Sequence, residues 1–259
     1  MLGAIAGDIL GSVHEFKPIK TKDFELLEQN CRFTDDTVMS IAIAEASLEE
    51  ESFVDSLQKW GRKYPFAGYG SWFGKWIFSA SPEPYNSFGN GSAMRVSSIG
   101  WLYEHEDKVL REAKRSAEIT HNHPEGIKGA QAVALGVFLA RNGFSKNQIR
   151  KRLEETFGYQ LNRKLDMIRP EYHFDVTCQG SVPEAIIAFL EASDFEDALR
   201  NAISLGGDAD TQACISGALA EAYYLNISSE IKEFVVSRVT ADMLLVLDDF
   251  QKKVRVTLN

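Results

Sequence analysis

The first helix this sequence can form makes the strictest demand on the fold. Residues 1–16, MLGAIAGDILGSVHEF, place glycine at positions 3, 7 and 11, so one helical face is nearly bare backbone. Each interior glycine costs up to about 1 kcal/mol relative to alanine, which makes this a poor helix in solvent. Such a face is useful only where another backbone, or a ligand, comes very close. Small residues recur at Ala209, Ala213, Gly217 and Ala220, again at helical spacing.

Helical periodicity runs through most of the rest. It is read after Thr34 to about Leu48, then over 52–64, 107–119, 125–141, 145–156, 182–192, 195–204, 208–224, 228–238 and 239–255. Residues 17–33 and 82–92 read as loops, and 65–76 as turn- and aromatic-rich. No long alternation of apolar and polar residues suggests a sheet. Only 168–177, IRPEYHFDVT, is a candidate for extended structure. The expectation is one compact all-α domain over residues 1–259.

Two of these helices begin on the same chemistry. Thr34-Asp35-Asp36-Thr37 opens one, and Gly206-Gly207-Asp208-Ala209-Asp210-Thr211 opens another far downstream. Capping explains one such side chain at a helix start. It does not explain two adjacent carboxylates, which repel each other. A hard divalent cation removes that repulsion and prefers carboxylate and hydroxyl oxygen. The clusters therefore read as halves of one site, with Thr34, Asp35, Asp36, Asp208, Asp210 and Thr211 as oxygen donors. Six donors suit two Mg²⁺ or Mn²⁺ ions sharing a carboxylate better than one ion. The absence of histidine and cysteine from the set points away from zinc.

Composition narrows the function. A net charge of -9 argues against extended nucleic-acid binding, which needs a basic face, though bound cations can reverse the potential locally for a small anion. No apolar run approaches the roughly 20 residues that span a bilayer, and Met1–Leu10 has no basic opening of a signal peptide. A cytoplasmic protein is expected. The three cysteines, Cys31, Cys178 and Cys214, are scattered and suggest neither a disulfide framework nor a paired-cysteine zinc motif.

Three further segments invite a ligand. Asn86 to Arg95, NSFGNGSAMR, could form a nest of backbone N–H groups for phosphate, with Arg95 adding charge or a structural salt bridge. In Thr120-His121-Asn122-His123-Pro124, Thr120 or Asn122 is expected to cap the next helix and His121 to hydrogen-bond a ligand. Glu15 sits where the first helix gives way to loop, placed to accept a proton or position water beside a metal site.

Taken in order, Gly3-Ala4-Ile5-Ala6-Gly7-Asp8-x-x-Gly11 with Glu15, Thr34-Asp35-Asp36-Thr37, Gly89-Asn90-Gly91-Ser92-Ala93-Met94-Arg95, Thr120 to Pro124 and Gly206 to Thr211 resemble the ADP-ribosylglycohydrolase family, of the dinitrogenase reductase-activating glycohydrolase type. The resemblance implies an orthogonal multi-helix bundle with a central cleft holding two Mg²⁺ or Mn²⁺ ions on the six donors above. It implies catalytic roles for Glu15 and Asp36, and contacts to ADP-ribose from Gly89, Asn90, Gly91, Ser92 and His121, with Gly68 and Gly70 on a further ligand-lining turn. The implied reaction is hydrolysis of the glycosidic bond between ADP-ribose and an acceptor, either a protein side chain such as arginine or serine, or a small conjugate. The chain is expected to act as a monomer, without nucleic-acid or membrane partners. Two alternatives stand beside this: a non-catalytic ADP-ribose binder, and a two-metal phosphoesterase that cuts the diphosphate.

Overall fold

The computed structural model describes residues 1–257. Among them fifteen helices and no strand are formed. In the first half these are α1 (Leu2–Gly11), α2 (Asp35–Glu49), α3 (Phe53–Lys63), α4 (Ser71–Ile77), α5 (Gly91–Met94), α6 (Ser97–Leu102), α7 (Glu106–Glu118) and α8 (Pro124–Arg141). The second half holds α9 (Lys146–Phe157), α10 (Leu165–Ile168), α11 (Cys178–Glu191), α12 (Phe195–Ile203), α13 (Ala209–Tyr224), α14 (Ser229–Val236) and α15 (Ala241–Thr257). The fold is all-α, as the periodicity predicts.

The glycine face of α1 finds its partner in α13, the most extensive helix pair in the molecule. A Cβ added at Gly7 would lie 2.0 Å from the Ala213 carbonyl oxygen, and one at Gly3 would lie 2.4 Å from that of Gly217. Two backbones therefore touch where most helix pairs are separated by side chains. The small-residue stripe of α13 is the other half of that contact. Both helices are almost wholly buried. The apolar side chains of α2, α8 and α11 join them in one contiguous core.

Four sequence expectations need correction. Residues 168–177 form no strand: they contain the end of α10, a turn, and a loop that makes a single antiparallel bridge between Thr177 and Gly89. That bridge, through Asn90 N–H to the Val176 carbonyl (2.8 Å) and Cys178 N–H to the Phe88 carbonyl (2.8 Å), pins the 86–92 loop to the start of α11. α11 begins at Cys178 and carries Pro183 inside it, so the proline marks an interior position and not the first turn. Finally, the aromatic segment after Gly70 is helical as α4, and α1 stops at Gly11.

Candidate functional site

The first turns of α2 and α13 meet over α1. Thr34 is the N-cap of α2, its Oγ1 accepting from the Asp36 N–H at 3.3 Å. Asp8, fully buried on α1, then holds the whole turn. It accepts from Thr34 N–H (2.9 Å), Thr34 Oγ1 (2.7 Å), Thr37 N–H (3.0 Å) and Thr37 Oγ1 (2.5 Å). Across the junction, Thr211 Oγ1 donates to Asp36 Oδ2 at 3.2 Å, while Thr211 N–H bonds Asp210 Oδ1 at 2.9 Å. The backbone before α13 is shaped by its glycines. Gly206 has φ of +64°, and a Cβ on Gly207 would lie 2.3 Å from the Tyr172 ring.

This arrangement gathers negative charge in one place. Carboxylate oxygens of Glu15, Asp208 and Asp210 lie within 4.8 Å of one another. Asp36 Oδ1 is buried with no hydrogen-bond partner. Burial, then mutual repulsion, pushes Asp35, Asp36 and Asp210 well above the usual carboxylate range. Burial and the charge of Asp210 push Glu15 to about 7, and burial pushes Asp208 to about 6 against the pull of its hydrogen bonds. Carboxylates so placed are protonated or neutralised by a cation. An orphaned oxygen and an all-oxygen donor set fit a hard divalent ion.

Opposite lies a wall of different chemistry. Gly89 and Gly91 expose backbone, and His121 stands behind them. A Cβ on Gly91 would lie 3.3 Å from His121 Nε2. Burial, with the Arg95 charge second, holds His121 well below its ordinary pKa, so the ring is neutral. Arg95 is fully buried and makes no salt bridge among the described residues. It donates instead to the Ser116 carbonyl and Thr120 Oγ1, both at 2.9 Å. Between the walls is a pocket of about 450 Å³, lined by Glu15, Asp35, Asp36, Gly68, Gly70, Gly89, Asn90, Gly91, His121, Asp208, Asp210 and Thr211 among others. Gly68, at φ +110°, lets that turn pass beside Asp35, whose Oδ1 would be 3.3 Å from a Cβ there.

Two predicted positions lie differently. Ser92 is fully buried and its Oγ donates to the Gly126 carbonyl at 2.8 Å, away from the pocket. Thr34 is also absent from the lining, its hydroxyl proton committed to Asp8. Asn90 reaches across the site: its amide donates to Asp208 Oδ2 at 2.7 Å and ties the glycine loop to the acidic wall. The cap of α8 is His123, through Nδ1 to the Glu125 N–H, and not Thr120 or Asn122. Asn122 Oδ1 instead accepts from the Asn86 N–H at 2.7 Å.

Sequence reasoning missed the role of Asp8. Beyond its place in the glycine motif, its signal is a charge on a helix of otherwise small or apolar residues, where a buried carboxylate must be bonded. The aromatic rim was missed as well. Phe16 stacks on Phe174 and Trp72 on Tyr85, at ring separations of 6.2 and 6.3 Å, on two sides of the pocket.

Fold and site together define an all-α protein whose pocket sets clustered carboxylates against a glycine- and histidine-lined wall. The sequence pattern of the ADP-ribosylglycohydrolase family matches residues 1–235, and the chain belongs to that family. It is 29% identical over 307 residues to the ADP-ribosylhydrolase ARH3 of Bos taurus, covering 86% of this chain and 83% of that protein. The Homo sapiens ARH3 is 28% identical over 304 residues, covering 86% and 84%. A solved structure described as an ADP-ribosylglycohydrolase-related protein complex superposes with a TM-score of 0.76 at 25% identity, over 98% of this chain and 95% of that one. The family is one of hydrolases acting on ADP-ribosyl conjugates. No helix among the described residues is long and apolar enough to cross a membrane.

Proposed function

We propose that this chain is a metal-dependent hydrolase that cleaves the glycosidic bond between ADP-ribose and its acceptor. One observation carries the reading: buried and half-buried carboxylates from three separate segments converge on a pocket that is also lined by Gly89, Gly91, the neutral His121 ring and Arg95. Asp35, Asp36, Asp208, Asp210 and Thr211 would hold two Mg²⁺ or Mn²⁺ ions, with the remaining lone pair of Thr34 Oγ1 as a further donor. When bound, the ions supply positive charge and Lewis acidity beside the ribose hydroxyls.

The chain's own residues do the rest. Glu15, partly open to the pocket, accepts a proton from the water that attacks the anomeric carbon. The bond from that carbon to the acceptor breaks as the new carbon–oxygen bond forms, and the proton taken up by Glu15 is balanced by one delivered to the departing acceptor. Asp36 and its neighbours face the positive charge that develops on the ribose. Gly91 and Ser92, whose backbone N–H groups open α5, and His121, through a ring N–H, would face the diphosphate, with Gly89 and Asn90 beside them, their own N–H groups bonded to Ser87 Oγ and the Val176 carbonyl. Gly68 and Gly70 line the path between. The chain works as one domain and as a monomer in the cytoplasm.

The acceptor is read by a panel of arginine-, serine- and cysteine-linked ADP-ribosyl peptides incubated with Mg²⁺. The reading expects release of intact ADP-ribose from at least one of them. Binding without release would make the chain a non-catalytic ADP-ribose binder. AMP as product would make it a phosphoesterase.

A further inference from the structure

Thr120 stands between a buried cation and a buried imidazole. Its Oγ1 accepts from Arg95 Nη2 at 2.9 Å and lies 2.7 Å from His121 Nδ1. Thr120 is 0% and Arg95 1% exposed, so water cannot replace a missing partner. A hydroxyl has one hydrogen to give and two lone pairs to offer. Arg95 takes one lone pair. If Nδ1 carried a proton, Oγ1 would have to accept twice, and its own hydrogen would face no acceptor among the described residues. Such an orphaned buried donor loses its bond to water and gains nothing in return. In the opposite arrangement the hydroxyl and Nδ1 are both satisfied: Arg95 Nη2 donates to Oγ1, Oγ1–H donates to a bare Nδ1, and the ring proton sits on Nε2.

We infer that Arg95 and Thr120 form a relay that locks His121 as its Nε2–H tautomer, a fixed neutral donor aimed at the Gly89–Gly91 loop. Both are positioning residues, acting through His121. Nε2 is the ring atom that faces the loop, 3.3 Å from where a Cβ on Gly91 would lie and 3.6 Å from one on Gly89. Glycine at both positions leaves the donor uncovered. Burial first, and the Arg95 charge second, keep a second proton off the ring. The Arg95 guanidinium makes no ion pair among the described residues, and Nη2 donates to Thr120 Oγ1 and to the Ser116 carbonyl. The inference rests on the proposed function in one respect only: the acceptor that Nε2–H meets is the diphosphate of an ADP-ribosyl group.

The test begins with ligand-free wild-type protein carrying ¹⁵N-histidine, read by long-range ¹H–¹⁵N NMR at pH 7, with His121→Gln identifying the resonance. A protonated Nε2 with a bare Nδ1 is expected. A proton on Nδ1, or on both nitrogens, overturns the relay. In Thr120→Val the Nδ1–H form should appear, and KM for an ADP-ribosyl peptide should rise about tenfold with kcat changed less than about threefold. Thr120→Ser should restore both. An unchanged tautomer in Thr120→Val overturns the relay. A changed tautomer with unchanged KM supports the relay and overturns the assignment of the diphosphate to His121. Should Thr120→Val fail to fold, the wild-type and Thr120→Ser spectra still decide the tautomer.

Discussion

The two walls of the pocket solve opposite problems with opposite chemistry. The acidic wall, at the starts of α2 and α13, packs like charges together and leaves Asp36 Oδ1 without a partner. The other wall contains no carboxylate among Gly89, Gly91 and His121, and keeps its one cation, Arg95, fully buried behind Thr120. One wall gathers carboxylates that call for a cation, while the other offers donors to an anion. A substrate with a diphosphate at one end and ribose hydroxyls at the other matches both. The scaffolds differ too: the acidic wall rests on backbone-to-backbone contact between α1 and α13, the other on a loop held by the Gly89–Thr177 bridge and by side-chain hydrogen bonds.

The largest effect should come from the acidic wall itself. Asp36→Ala or Asp210→Ala should lower metal-dependent release of ADP-ribose by about 10³-fold or more. The same variants should melt no lower than wild type in chelator, because each removes a repelled charge. Turnover retained in both would remove these residues from the site.

Gly7→Ala attacks the support beneath that wall. With a Cβ 2.0 Å from the Ala213 oxygen, α1 must move off α13, at a cost of about 3 kcal/mol in denaturant unfolding. Gly70→Ala, with nothing within 4 Å of its Cβ, is the control and should change stability little. Equal effects from the two would contradict the packing account.

Asp8→Asn should sharpen the comparison. An amide cannot accept all four hydrogen bonds through equivalent oxygens, so the Thr34–Thr37 turn loosens. Mn²⁺ affinity, measured by calorimetry, should fall by about 10–100-fold, as for other groups that orient metal ligands. On the opposite wall, Gly91→Ala places a methyl against His121 Nε2 and should raise KM about tenfold without changing Mn²⁺ affinity. A loss of metal binding in Gly91→Ala would mean the walls are not separable.

The smallest effect is in pH. Glu15, at about 7, and Asp208, at about 6, have native-state values above their unfolded ones near 4. The native protein thus holds more protons than the unfolded chain, and its stability falls as pH rises from about 4 to 7. In chelator, the melting temperature should be lower at pH 7.5 than at 5. Added Mg²⁺ should raise it more at 7.5. A chelated protein equally stable at both would argue against uncompensated carboxylates.

Much of this was legible because charge and backbone exposure are written locally. The acidic pairs at Asp35–Asp36 and Asp208–Asp210 and the glycines at 206–207 mark helix starts, and the structure brings both starts to one pocket. What stayed hidden depends on partners distant in sequence. Gly3, Gly7 and Gly11 announce a close approach but not that α13 makes it. Asp8 reads as a stray charge until Thr34 and Thr37 fold onto it. Ser92 has the composition of a ligand loop, yet its hydroxyl is claimed by Gly126. α4 escaped notice because Gly70, Gly74 and its aromatics are weak helix formers in isolation, and Trp76 and Ile77 are helical through burial.

The central claim is that the acidic wall holds divalent cations and that the bond broken beside it is glycosidic. Incubating an ADP-ribosylated peptide with the protein, with Mg²⁺ and with excess chelator, and weighing the products by mass spectrometry tests both halves at once. Intact ADP-ribose and unmodified peptide with Mg²⁺, and neither with chelator, is the predicted result. AMP among the products, or release that chelator does not change, would contradict it.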